Sequence, residues 1–317
     1  MVLIRAVAGI VLASWLTAAC GGKAAERPLE TRVVRLATGS RQAASLSRAL
    51  ADAYRRSSET LDVRLSETPG SSSNVDAIQR GDADIGFAFA DAAYLAYVGK
   101  QRASAYTRLR GIAVLEIDPI HIIVGSRSGI TTPSQLRQRR VAFGPRGSGT
   151  ASSAELVLSA FGIDANAVQQ EFLPFGEATS RLAQGTLDAM FLAASDPADN
   201  VMVALKAGGR LIPIEGPPVE RLRRDFSFLR RVAISPETYP ELPASVHTIG
   251  VDNLLICRQD LDEQLVYELT RNLFDMLPAL SAQQPSLRLV RMADVAATPV
   301  PLHEGAARYY RERELLR

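Results

Sequence analysis

Residues 140–162 read as a single strand–loop–helix unit, and this unit restricts the fold more than any other stretch of the chain. Arg140-Val141-Ala142-Phe143 is a short apolar run of the buried-strand type. Gly144-Pro145-Arg146-Gly147-Ser148-Gly149-Thr150 follows as a glycine loop, and residues 151–161 read as a helix closed by Gly162. The first turn of a helix has unpaired N–H groups and the positive end of a dipole. Glycines let a ligand come close to such a backbone. With the hydroxyls of Ser148 and Thr150 beside it, the loop is either a seat for a carboxylate or phosphate or a plain strand-to-helix turn. Sharper motifs fail. Thr150 stands where a Walker loop needs Lys, and Ser152 stands where a dinucleotide fingerprint needs its third Gly. Arg146 and Thr150 occupy the glycine positions of a nucleophile elbow around Ser148.

The same alternation runs along the chain. Residues 33–38, 62–67 and 85–89 read as strands, and 43–55, 75–80 and 91–98 as helices. That order implies a parallel sheet with right-handed crossovers, in which ligands bind at the carboxyl ends of strands. Thr38-Gly39-Ser40, Ser71-Ser72-Ser73-Asn74 and Ala90-Asp91 lie at those ends. Asp91 reads as a helix cap or a ligand contact, and Asn74 as a helix cap or an amide donor to ligand.

Further on, 120–124, 172–175, 187–193 and 211–214 read as strands, and 177–183 and 199–207 as helices. Thr132 is placed to cap a helix that starts at Pro133. The strand at 187–193 ends at Ala194-Ser195-Asp196-Pro197. Residues 77–87 and 181–191 share one plan: helix, glycine turn, aspartate, buried strand. This suggests two similar α/β lobes facing a cleft. Residues 249–256 read as a strand returning to the first lobe, 262–277 as a packing helix, and the end of the chain as a terminal helix with Tyr309 and Tyr310 packed inward.

A length of 317 residues, 47% hydrophobic and 22% charged, suits a globular protein of one or two domains. A net charge of +2 makes no case for nucleic acid. Residues 1–19 read as a lipoprotein signal peptide: Arg5, an apolar run over 6–15, then Leu16-Thr17-Ala18-Ala19-Cys20. The last five residues resemble a bacterial lipobox, with Cys20 as the lipidated residue; the other reading is an ordinary signal peptide cut near Ala19. Residues 20–31 read as a flexible tether. Cys257, in an apolar run, reads as a buried inert thiol. His121, His247 and His303 fall in no metal-ligand spacing, so no metal is expected.

Several pieces together resemble the TAXI class of extracytoplasmic solute receptors that serve TRAP transporters. They are the 144–150 loop, Gly185-Thr186-Leu187-Asp188-Ala189, Val251-Asp252-Asn253-Leu254-Leu255 and the segment 301–310. The resemblance implies an α/β chain with a two-lobed periplasmic-binding-protein type II fold. Each lobe would be a mostly parallel sheet flanked by helices, with the ligand cleft between lobes. Lobe 1 would be 32–124 with 248–317, lobe 2 would be 125–247, and the crossings would lie near Gly125 and His247. The resemblance implies binding without chemistry: no enzyme, no cofactor, a small organic acid as ligand and TRAP membrane subunits as partners. The protein would be a periplasmic or cell-surface lipoprotein touching the membrane only through its anchor.

The expected ligand contacts are Thr38, Gly39, Ser40, Ser71, Ser72, Ser73, Asn74, Ala90, Asp91, Arg146, Gly147, Ser148, Gly149, Thr150, Ser195 and Asp196. Arg146 and Arg41 either pair with a ligand carboxylate or are solvated loop residues. The loop after the first strand has one glycine and no tyrosine where this class has a double glycine and an aromatic residue, so the ligand is expected to differ from the usual ones. Two other functions share the sequence: a sensor subunit of the same fold, and an enzyme on this scaffold using Asp91 or Asp196.

Overall fold

The structure, a computed structural model, describes residues 31–39, 44–100 and 103–316. The expected signal peptide, Cys20, the tether up to residue 30, Ser40 and Arg41 lie outside the described residues.

The chain opens with β1 (Arg32–Gly39), α1 (Ala44–Ser57), β2 (Leu61–Glu67), α2 (Ser71–Arg80) and β3 (Ile85–Phe89). Helix α3 (Ala90–Tyr97) leads to the long strand β4 (Leu109–Val124). A 3₁₀ turn at Pro133–Leu136, capped by Thr132, precedes β5 (Arg140–Ala142), α4 (Gly149–Ala160), β6 (Gln169–Glu171), α5 (Phe175–Gln184) and β7 (Ala189–Ala193). Then come α6 (Asp199–Lys206), β8 (Arg210–Ile212), α7 (Pro217–Asp225), β9 (Leu229–Ile234), β10 (Val246–Arg258), α8 (Glu263–Gln283) and α9 (Glu304–Glu312).

The sheet order is β2-β1-β3-β10-β4-β7-β5-β6, with β8 on β4 and β9 on β10. Strand β1 pairs in parallel with β2 and β3, and β5 pairs in parallel with β6 and β7. Both parallel units therefore have the same order, second strand, first strand, third strand. They also share an ion pair at one place. Asp84, before β3, accepts from Arg35 N–H at 2.8 Å, Nε at 3.0 Å and Nη2 at 2.9 Å. Asp188, before β7, accepts from the same three groups of Arg140 at 2.9, 3.1 and 2.7 Å. Helices α2 and α5 both end at a left-handed glycine, Gly81 and Gly185. The likeness of 77–87 to 181–191 is thus a repeated structural device.

Two antiparallel strands join the units. Residues up to Pro119 of β4 pair with β10, and from Ile120 onward β4 pairs with β7. Only residues 120–124 read as strand from sequence, because Pro119 interrupts the pattern. The proline is tolerated where the strand changes partner. Likewise, the strand read at 172–175 is Gln169–Glu171, and Phe175 already opens α5 behind Pro174.

Strands β3 and β7 are buried along their whole length, as parallel strands covered on both faces must be. Alternate side chains feed different cores. Ala88, Ile122, Phe191 and Leu254 join one cluster with α2, α3, α4 and α7, which runs beneath both units. On the other face Phe87 and Leu255 pack with α1, α8 and α9. Met190 and Leu192 pack with α5 and α6 as a separate cluster. One face is thus continuous and the other divided, and the division matters for the site. Cys257 is fully buried and free, and its thiol is pushed far up by burial. Tyr309 and Tyr310 pack inward against Phe274. Among the described residues no helix is long and apolar enough to cross a membrane.

Candidate ligand-binding site

The glycine loop sits where the sequence puts it, ahead of α4, but its hydroxyls are engaged within the fold. Ser148 caps α4 by accepting from Ala151 N–H at 3.2 Å, and Thr150 Oγ1 accepts from Ala193 N–H at 3.2 Å. The loop packs directly on the start of α2. Ser73 N–H donates to Gly147 O at 3.1 Å, and Ser72 Oγ lies 2.9 Å from Ser152 Oγ. A Cβ on Gly149 would fall 2.3 Å from a Phe89 ring carbon and 2.5 Å from Ser71 Oγ, so only glycine fits there. Arg146 stacks 3.9 Å over the Phe172 ring and pairs with no acid among the described residues.

The other strand-end residues are also occupied. Ser71 Oγ accepts from Phe89 N–H at 3.1 Å. Asn74 is neither a cap nor a free amide: it stands in the first turn of α2, and its Nδ2 donates to Phe87 O at 2.7 Å. Asp91 lies one residue inside α3, not at its cap, and accepts from Ala92 N–H and Ser153 Oγ, both at 2.6 Å. Thr38 Oγ1 bonds Gly39 O at 3.2 Å, and Ala90 is fully buried. Of the expected contacts, Ser195 and Asp196 line a cavity.

That cavity, of about 440 Å³, lies on the divided face, at the carboxyl ends of β3 and β7. Its apolar wall is Leu46, Phe87, Phe89, Phe175 and Leu192. The starts of α5 and α6, at Phe175 and at Ala198, Asp199 and Asn200, also face it. Phe89 and Phe175 each touch the glycine loop as well, since a Cβ on Gly144 would fall 2.8 Å from the Phe175 ring. The two rings stand between loop and cavity.

The polar floor comes from the two linking strands. Glu116 and Asp118 of β4 project together, two residues apart as one face of a strand requires. Ser195 Oγ lies 2.9 Å from Asp118 Oδ1 and 3.2 Å from Glu116 Oε2. Asn253 Nδ2 donates to Asp118 Oδ2 at 2.9 Å and Glu116 Oε1 at 3.3 Å. Burial pushes both carboxyls up, and the Glu116 charge pushes Asp118 further, well above the usual range. Beside them Asp196 Oδ1 is met by His121 Nε2 at 2.9 Å and Tyr239 Oη at 2.6 Å. His121 Nδ1 donates to Leu192 O at 3.1 Å, which fixes the ring.

A second hollow of about 440 Å³ lies by Ile214, Arg231 and His247. Its charged groups pair with each other, Arg231 with Glu220 and His247 with Glu215, and it lies beside β9 and the start of β10, away from the carboxyl ends of β3 and β7. The cavity between the parallel units is the stronger site.

The profile of the NMT1-like family matches residues 37–313. The chain belongs to the NMT1-like family. Solved structures share its fold. One, from Bordetella bronchiseptica RB50, is similar at a TM-score of 0.58 and 17% identity, over 91% of this chain and 100% of that one. A Xanthomonas citri protein solved with bound ATP gives 0.53 and 14%, over 90% and 99%. MatC from Rhodopseudomonas palustris, solved with bound malate, gives 0.52 and 14%, over 82% and 90%. At these identities the likeness is one of fold.

The sequence reading missed Glu116, Asp118, Asn253, His121 and Tyr239 in this NMT1-like chain. Glu116 and Asp118 had one available signal, two acids two residues apart between apolar runs that lead into and out of a proline. Tyr239 comes from a segment more than 40 residues beyond the loops being read, and Asn253, though within the 251–255 piece, is brought to the two carboxyls only by the fold.

Proposed function

We propose that this chain is an extracytoplasmic solute-binding protein that takes a small organic acid into the cavity and delivers it to TRAP-type membrane subunits. The observation that carries this reading is the cavity's position between two like parallel units linked by two strands. Such a linkage lets the units, 32–124 with 248–317 and 125–247, move as lobes about β4 and β10. The N-terminal ends of α5 and α6 offer the acid its donors. The malate bound to MatC, a protein of this fold, supports an organic acid. Cys20 carries the lipid that holds the protein to the membrane, outside the cytoplasm. The protein binds and releases its solute without chemistry.

The test is calorimetric screening of small mono- and dicarboxylates, followed by uptake in vesicles carrying the membrane subunits. A binding acid, and uptake that needs this protein, support the reading. Binding without any protein-dependent uptake removes the transport partner and leaves a sensor.

A further inference from the structure

The floor of the cavity is richer in acceptors than in donors. Each carboxylate can accept about four hydrogen bonds. Glu116 and Asp118 are served by one hydroxyl hydrogen of Ser195, the two amide hydrogens of Asn253, and Ser286 on Glu116. Asp196, already met by His121 Nε2 and Tyr239 Oη, adds a third carboxyl to the same wall. No Lys, Arg or His lines the cavity among the described residues. Asn253 Oδ1 is buried and has no hydrogen-bond partner among the described residues, a further acceptor left without a donor. Two carboxyls buried side by side resist ionising together, and an arriving cation lets both carry their charge. A second carboxylate laid against this floor would add to the repulsion.

We propose that the solute carries a protonated amine, held by Glu116 and Asp118 with Asp196 close by, and rests its apolar part on Phe87, Phe89 and Phe175. This rests on the solute-binding reading above and names a group that the bound acid must also possess. The carboxylate end then faces the starts of α5 and α6, and the ammonium end faces β4 and β10. Aromatic rings beside the acids suit an ammonium group, since their faces attract cations.

The test compares matched skeletons by calorimetry and thermal shift on the full chain. Phenylalanine is set against 3-phenylpropionate, 4-aminobutyrate against butyrate, and phenethylamine is tested alone. The expected result is that a nitrogen-bearing member binds at least tenfold tighter than its nitrogen-free partner. Glu116→Gln and Asp118→Asn then each weaken that binding at least tenfold, while the surface control Asp225→Asn does not. Both floor variants are also melted without solute: the amides keep the size and an acceptor of each carboxyl, so melting close to wild type is expected, and that readout shows that the loss is not unfolding. If 3-phenylpropionate binds as tightly as phenylalanine, the amine is overturned and the organic-acid reading stands. If phenethylamine binds as tightly as phenylalanine, the amine stands and the acid end fails. Undiminished amine binding in both floor variants, or no binding by any of these compounds, overturns the proposal.

Discussion

Asp91 of α3 accepts from Ser153 Oγ of α4 at 2.6 Å, a contact between the two parallel units with both residues fully buried. Burial pushes the Asp91 carboxyl up to about 6 from its ordinary 3.8, against the hydrogen bonds from Ser153 and the backbone. The folded state therefore holds this proton more tightly than the unfolded chain does. The stabilisation is complete below pH 3.8 and is lost as pH rises through about 6. Asp91→Asn keeps an acceptor and carries no charge. It should raise stability at pH 8 by about 1–3 kcal/mol and flatten the stability curve between about pH 4 and 6. Urea unfolding across that range checks this; an unchanged slope would show that Asp91 is not the group responsible.

The packing of the glycine loop on α2 makes a second prediction. Gly149→Val places atoms where Phe89 and Ser71 already stand. It should destabilise the protein by about 1–3 kcal/mol before any solute is added. Ser148→Ala removes the cap of α4 and should cost about 1 kcal/mol. Melting of the two variants without solute decides the matter. Wild-type stability of Gly149→Val would mean that the loop stands free of α2, and of Ser148→Ala that the cap of α4 contributes nothing.

The repeated ion pair allows an internal comparison. Asp84 is held by Arg35 and also by Arg258 Nη1 at 3.0 Å, and its side chain is 8% exposed. Asp188 is held by Arg140 and its side chain is 18% exposed. Removing a buried partner leaves unsatisfied donors at roughly 1–3 kcal/mol. Asp84→Ala should therefore fall in the upper half of that range and Asp188→Ala in the lower half. Equal losses on urea unfolding would show that Arg258 contributes nothing.

Much of this was legible in the sequence, and the limits are physical. Buried parallel strands such as Ile85–Phe89 and Ala189–Ala193 are continuous apolar runs bounded by glycine turns, so strand, helix and repeat could all be read. The glycines at 147 and 149 were visible, but their partner was not. A close approach between backbones leaves the same small residues as a ligand seat does, and here Ser71 and Ser73 fill the space. Glu116 and Asp118 escaped notice because β4 runs through Pro119 and its partner changes there, which no local pattern encodes. Arg146 carried the right charge for an anion, yet the Phe172 ring beside it holds it outside the cavity.

The central claim, that solute binds in the cavity between the parallel units, is tested most directly by filling it. Ala194 lines the cavity at the end of β7, and Ala194→Trp places an indole there. Calorimetry is run on wild type and variant with the same bound solute, alongside circular dichroism to confirm the fold. The account predicts that the variant folds and its affinity falls at least a hundredfold. A folded Ala194→Trp protein that binds as tightly as wild type would contradict it and place the solute elsewhere.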